Sequence, residues 1–249
     1  MIDRDALVSH LDATLEAPRF KDYGPNGLQV EGRKSIRKVV TGVTASLALI
    51  DAAVAQQADA ILVHHGLFWR GQDGRVTGWM KQRLSRLLQA DVNLIAYHLP
   101  LDAHPGLGNN AQWGHRLGLV ADDRFADQDL GFIGPADSGL TLEALAQRAE
   151  QAMGKRPVVV PGDGRPLRRV AWCSGGAQGY FEQAIAAGAD AFLTGEISEP
   201  QAHYARECGV AFLACGHHAS ERYGVQALGH HLVQEFGIAH TFIDIDNPA

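Results

Sequence analysis

The stretch "VVTGVTASLALIDAAVAQQADAILVHH", residues 39–65, decides how the chain is built. It opens on a short apolar run, passes through a Gly/Ser/Thr turn into an alanine-rich stretch of helical length, and closes on a second apolar run ending in two histidines. Two apolar runs around a helix-sized segment predict a strand–helix–strand unit, with parallel strands joined by a right-handed crossover. The same design returns 131 positions later, without a gap, as "VAWCSGGAQGYFEQAIAAGADAFLTGE", residues 170–196. Ala58, Asp59 and Ala60 of the first stretch match Ala189, Asp190 and Ala191 of the second.

The correspondence continues more weakly downstream. "VNLIAYHLPLD" (92–102) and "VAFLACGHHASE" (210–221) are both apolar strands that run into histidine and then an acid. Helical segments, "WMKQRLSRLLQA" and "EPQAHYAREC", precede them. The fold class expected is therefore α/β, with two related lobes from an internal duplication, residues 1–125 and 126–249. The polar, Gly/Pro-containing stretch "ADDRFADQDLGFIGPADSG" (121–139) is expected to join them, with the last strand packing back on the first lobe. The N-terminus reads as an amphipathic helix with Asp3 as N-cap and Leu7, Val8, Leu11 and Leu15 on one face.

Composition narrows the function classes. A formal charge of −6 over 249 residues gives no general attraction to nucleic acid. No apolar run approaches the roughly 18 residues of a membrane span, and the N-terminus lacks the pattern of a signal peptide, so a cytoplasmic protein is expected. Cys173, Cys208 and Cys215 show no C-x-x-C spacing, which argues against a disulfide framework or a thiolate zinc site.

Ligands of α/β sheets gather at the carboxyl ends of the strands, and here three such ends carry metal-type side chains. They are His64 and His65, His98 followed by Asp102, and His217 and His218 followed by Glu221. Each alone has an ordinary reading, as a surface pair, a turn residue or an exposed helical acid. Their joint occurrence in matching units points to metal. Imidazole with carboxylate suits zinc, iron, manganese, nickel or cobalt, and three histidines with two carboxylates suffice for two neighbouring divalent ions. His217 and Glu221 are spaced to converge within one helical turn. "CSGGAQG" (173–179) reads either as a tight strand-to-helix turn or as a phosphate cradle; no P-loop motif is present.

These residues resemble the Nif-three-like family, the GTP cyclohydrolase 1 type 2 homologues, and within it the short bacterial YbgI-type members. The matching motifs are "DYGPNGLQVEG" (22–32), "VTGVTAS" (40–46), "ADAILVHHGLFW" (58–69), "HLPLDAHPGLGNN" (98–110), "ADAFLTGE" (189–196), "GHHASER" (216–222) and "TFIDIDNP" (241–248). The resemblance implies a dinuclear metal centre in a cleft between the lobes, held by His64, His65, Asp102, His217 and Glu221, with the glutamate shared. It implies His98 as an accessory ligand or proton carrier, and a toroidal homohexamer, a trimer of dimers. The activity implied is hydrolytic opening of the guanine imidazole ring of GTP with release of formate, with His98 or His104 moving protons. The same metal pair would serve phosphoester or amide hydrolysis, and a non-catalytic metal-binding or partner-scaffolding ring stays open beside the enzyme.

Overall fold

The computed structural model describes residues 1–249, which divide into two compact units. In chain order its elements begin with β1 (Ile2–Asp3), α1 (Arg4–Thr14), β2 (Gly27–Val30), β3 (Ser35–Ile36), β4 (Lys38–Thr44), α2 (Leu47–Ala55), β5 (Ala60–His65), α3 (Gly78–Ala90) and β6 (Asn93–Ala96). Next come α4 (Leu99–Ala103), α5 (Asn109–Leu117), β7 (Asp123–Phe125), β8 (Gly131–Pro135), α6 (Leu142–Met153), β9 (Val158–Val160) and β10 (Arg169–Trp172). The chain closes with α7 (Phe181–Ala186), β11 (Ala191–Thr194), α8 (Glu199–Cys208), β12 (Ala211–Ala214), α9 (His217–Ser220), α10 (Arg222–Phe236) and β13 (Ala239–Phe242).

The first unit, residues 1–101 with 224–246, is built on a sheet of order β13-β4-β5-β6-β2. The first four strands are parallel and β2 is antiparallel to β6. β4 and β5 are nearly continuous runs of buried residues, as expected of parallel strands covered on both faces. Val40, Leu49, Ile50, Ile61, Val63 and Leu94 belong to its core. Capping starts the helices where the sequence places them. Asp3 accepts from the amides of Asp5 and Ala6, and the Ser46 hydroxyl accepts from the amide of Leu49.

The second unit, residues 102–223 with 247–249, carries a sheet of order β7-β8-β10-β11-β12-β9. β10, β11 and β12 are parallel, flanked by antiparallel partners. Trp113, Phe132, Leu145, Trp172, Leu193 and Leu213 fill its core.

The stretch 121–139 is not the linker its composition suggests. It forms β7 and β8, and β8 pairs with β10 through Ile133 and Ala171. Phe125, Leu130, Phe132 and Ile133 are buried, and the apolar residues decide its place over the glycines and charges around them. Trp113 and Leu117 of α5 are buried in the same unit, so the division falls at Leu101/Asp102 rather than after residue 125.

The register explains the "ADA" sequence. Val39 pairs with Ala60 in one sheet and Val170 with Ala191 in the other, at corresponding positions. Asp59 Oδ2 accepts from the amides of Arg37 (2.8 Å) and Lys38 (3.0 Å). Asp190 Oδ2 accepts from Arg168 (2.8 Å) and Arg169 (3.1 Å) in the same way. Each aspartate thus satisfies the amides that lead into the neighbouring strand, a structural duty at the amino ends of the sheets.

Candidate metal centre

In the first unit β5 ends on His64 and His65. His64 is fully buried, and its Nδ1 donates to the carbonyl of Tyr97 at 3.0 Å, so the lone pair of the neutral ring lies on Nε2. His65 is half-buried, with Nδ1 3.1 Å from the Thr44 hydroxyl. Neighbouring residues of a regular strand point to opposite faces. At this strand end, however, the two ring centroids lie 4.6 Å apart. His98, immediately before α4, stands 5.0 Å from the ring of His64 and 5.6 Å from that of His65. One nitrogen from each of the three lies within 4.8 Å of the others. Trp69 sets its ring nearly perpendicular to His98 at 5.1 Å.

The second unit contributes carboxylates. Asp102 is buried, and its Oδ1 accepts from Asn109 Nδ2 at 2.9 Å and the Ser174 hydroxyl at 3.0 Å. Glu221 is buried where α9 ends, with a carboxylate oxygen within 4.8 Å of one of Asp102. His217 lies between two glutamates, its Nδ1 2.6 Å from Glu196 Oε1 and its Nε2 3.2 Å from Glu221 Oε2. Burial disfavours the charged ring, but Glu221 and then Glu196 outweigh it and raise the His217 pKa to about 9. Gly175, at φ +69°, passes so close that a Cβ would stand 2.1 Å from Glu221 Oε1, so the backbone itself makes room for the carboxylate.

The donor chemistry fits divalent transition metals. Two close, buried carboxylates repel each other unless a cation lies near, and the imidazole Nδ1 atoms are held by carbonyl, hydroxyl or carboxylate, as the outer partners of metal-binding histidines usually are. The structure brings His64, His65 and His98 together in one unit, and Asp102, His217 and Glu221 in the other. His98 and Asp102 sit one turn apart along the same short helical segment, α4 and the residue before it.

Other candidates have local roles. His104 Nδ1 accepts from the amides of Gly106 and Leu107 in a turn. The amides of Ser174, Gly175 and Ala177 in "CSGGAQG" are taken by Asn110 Oδ1, Ser220 Oγ and Thr194 Oγ1. Those three bonds brace the loop as a tight strand-to-helix turn. Sequence reasoning misses Asp22, Thr44, Asn109, Ser174 and Glu196, which orient the candidate ligands and His98. Glu196 alone has a signal, because it stands where His65 stands in the other strand–helix–strand stretch.

These features define a mixed α/β protein with histidine and carboxylate clusters at its strand ends. The family model for Duf34/NIF3 (NGG1p interacting factor 3) matches residues 2–248, and the chain belongs to that family. A Neisseria meningitidis protein named GTP cyclohydrolase 1 type 2 homolog is 53% identical over 249 residues, covering 100% of both chains. A Pseudomonas aeruginosa protein of the same name is 51% identical over 246 residues, covering 98% of this chain and 97% of its own. Among solved structures, protein ybgI, described as of unknown function, superposes with a TM-score of 0.96 at 44% identity, covering 100% of both chains. A Thermus thermophilus protein, TTHA1606, does so with 0.91 at 38% identity, again over 100% of both. No helix is long and apolar enough to cross a membrane.

Proposed function

We propose that the two half-sets form one centre for two divalent metal ions, in a cleft between two lobes that arose by duplication. His64, Asp102 and Glu221 would serve one ion, and His65, His217 and Glu221 the other, with the glutamate shared. What carries this reading is the pairing of close, buried carboxylates with imidazoles already held through Nδ1. The matched register of the parallel strands supports the duplication. The single turn between His98 and Asp102 supports joining the two half-sets.

The reaction proposed is hydrolytic opening of the guanine imidazole ring of GTP with release of formate, the activity in the name carried by the Neisseria and Pseudomonas relatives. Divalent ions bound here would acidify water and polarise the group under attack. The chain's own residues hold and orient. His64 and His65 offer neutral nitrogen, Asp102 and Glu221 bring compensating charge, and Glu196 keeps His217 turned towards Glu221. His98 is the proton carrier in this reading. The working assembly in this reading is the homohexamer that the family resemblance implies, about 160 kDa from 26.8 kDa chains.

The test combines metal analysis of the purified protein, its mass in solution, and formate release from GTP. Wild type should carry close to two ions per chain and release formate, whereas Glu221→Gln should not. Equal formate release from the two proteins would remove GTP from consideration as the substrate.

A further inference from the structure

The segment "DYGPNGLQVEG" contributes no ligand to the proposed set, yet its first residue is a buried carboxylate. The Asp22 side chain is 3% exposed. Its Oδ1 accepts from the amide of Tyr23 at 2.6 Å and from His98 Nδ1 at 2.7 Å. Its Oδ2 accepts from the amide of Leu99 and from Asn26 Nδ2, both at 2.9 Å. The Asn26 carbonyl oxygen accepts in turn from the amide of His98 at 2.8 Å.

Two donors on each oxygen fill the accepting capacity of Asp22, so it is built to hold other groups rather than to bind a metal. An ionised carboxylate accepts and cannot donate, so the ring nitrogen facing it must carry a proton. In its neutral form the His98 imidazole then has its lone pair on Nε2. Burial raises the Asp22 pKa, but the hydrogen bond and charge of His98 and the bonds from Asn26 and Tyr23 bring it below the ordinary value. Side chains 22 and 26 also occupy the backbone amides of His98 and Leu99 at the start of α4, which fixes the backbone from which the ring projects.

We propose that Asp22 is the positioning residue of His98. It holds the imidazole in the Nδ1–H tautomer and one orientation, and so presents Nε2 as a proton acceptor beside the His64–His65 pair. The proposal rests on the reading of that site as a hydrolytic metal centre, in which an acceptor with a fixed proton-free nitrogen is needed. Asn26 fixes the backbone and Asp22 the proton, and this division makes the two roles separable.

Solid-state ¹⁵N NMR of the full-length, ¹⁵N-histidine-labelled protein loaded with zinc at pH 8 reads the tautomer directly, with His98→Gln identifying the signal. Wild type should show His98 protonated on Nδ1 and bare on Nε2. Asp22→Asn should move the ratio towards Nε2–H by about tenfold or more, the scale of a lost charge-assisted bond. Asn26→Ala should keep the wild-type tautomer although it removes a cap from the same segment. A purely structural Asp22 predicts the same tautomer in all three proteins, and that result, or Nε2–H in wild type, overturns the proposal. If Asp22→Asn does not fold, Asp22→Ser is measured in its place, with the same expected shift and the same overturning result. Zinc content is measured on the same samples. Failure to bind zinc with the Nδ1–H tautomer intact would count against the metal reading and not against the role of Asp22.

Discussion

The two units share a framework and differ in what they put at its ends. In both, an aspartate of an "ADA" sequence receives the amides that lead into the adjacent strand, and the parallel strands pair in corresponding register. At the opposite ends the first unit gathers three imidazoles, oriented by a carbonyl, a hydroxyl and a carboxylate. The second gathers two buried carboxylates and a histidine held between glutamates. Position 65 is a histidine, and its counterpart, position 196, is a glutamate that orients one. The contrast amounts to a division of labour. One unit gathers imidazoles held through Nδ1, and the other gathers buried carboxylates beside a histidine whose charged form Glu221 and Glu196 favour.

Removing the neutral half puts that division under the severest strain. His64→Ala combined with His65→Ala should lose both ions, read by metal analysis; full retention would end the assignment. The next experiment sets the carboxylates against each other. Glu221→Gln should weaken both ions and Asp102→Asn mainly one, because only the first is shared in the proposed set, and single-ion losses in both variants would contradict the sharing. Glu196→Gln should lower the affinity of one ion by roughly 10–100-fold, the usual effect of altering a ligand's partner. Competition with a chromogenic chelator measures it. If the proposed centre is filled, stripping it with a chelator should raise amide exchange around residues 173–176 and 216–221 more than around residues 62–66, since the proposed ions would sit against the buried carboxylates.

A slighter effect lies away from the proposed metal centre. His240 hydrogen-bonds the Thr41 hydroxyl at 2.8 Å, under Gly229, where a Cβ would stand 2.1 Å from its ring. Burial, then the nearby His230, lowers the His240 pKa to about 4, against about 6.5 for an unfolded histidine. Between those values the unfolded chain binds the extra proton, so folding stability is complete above pH 6.5 and declines as pH falls towards 4. The melting temperature of His240→Asn should fall less steeply than wild type across that window. Parallel curves would show that His240 does not contribute.

The strand–helix–strand units are legible because hydrophobic periodicity and the 131-residue spacing report the same pairing. His64, His65, His98, Asp102, His217 and Glu221 are legible because each follows an apolar run that could only be a strand or the turn after it. The residues that orient them are not. Asp22 meets His98 across 76 residues and Ser174 meets Asp102 across 72, and no local pattern announces such contacts. The stretch 121–139 misleads for another reason. Its glycines and charges have the composition of a linker, while four apolar side chains, Phe125, Leu130, Phe132 and Ile133, hold it in the second unit.

The two capping aspartates also bear on descent. Asp59 and Asp190 secure the sheets at the margin opposite the one that bears the histidines and glutamates, so substitutions at either margin leave the other's hydrogen bonds in place. If the two units arose by duplication, as proposed, a histidine could give way to a glutamate at one strand terminus without forfeiting the architecture. Laboratory selection for a new ligand set at the proposed site has the same freedom, provided mutagenesis spares Asp59 and Asp190 and is directed at the opposite rim.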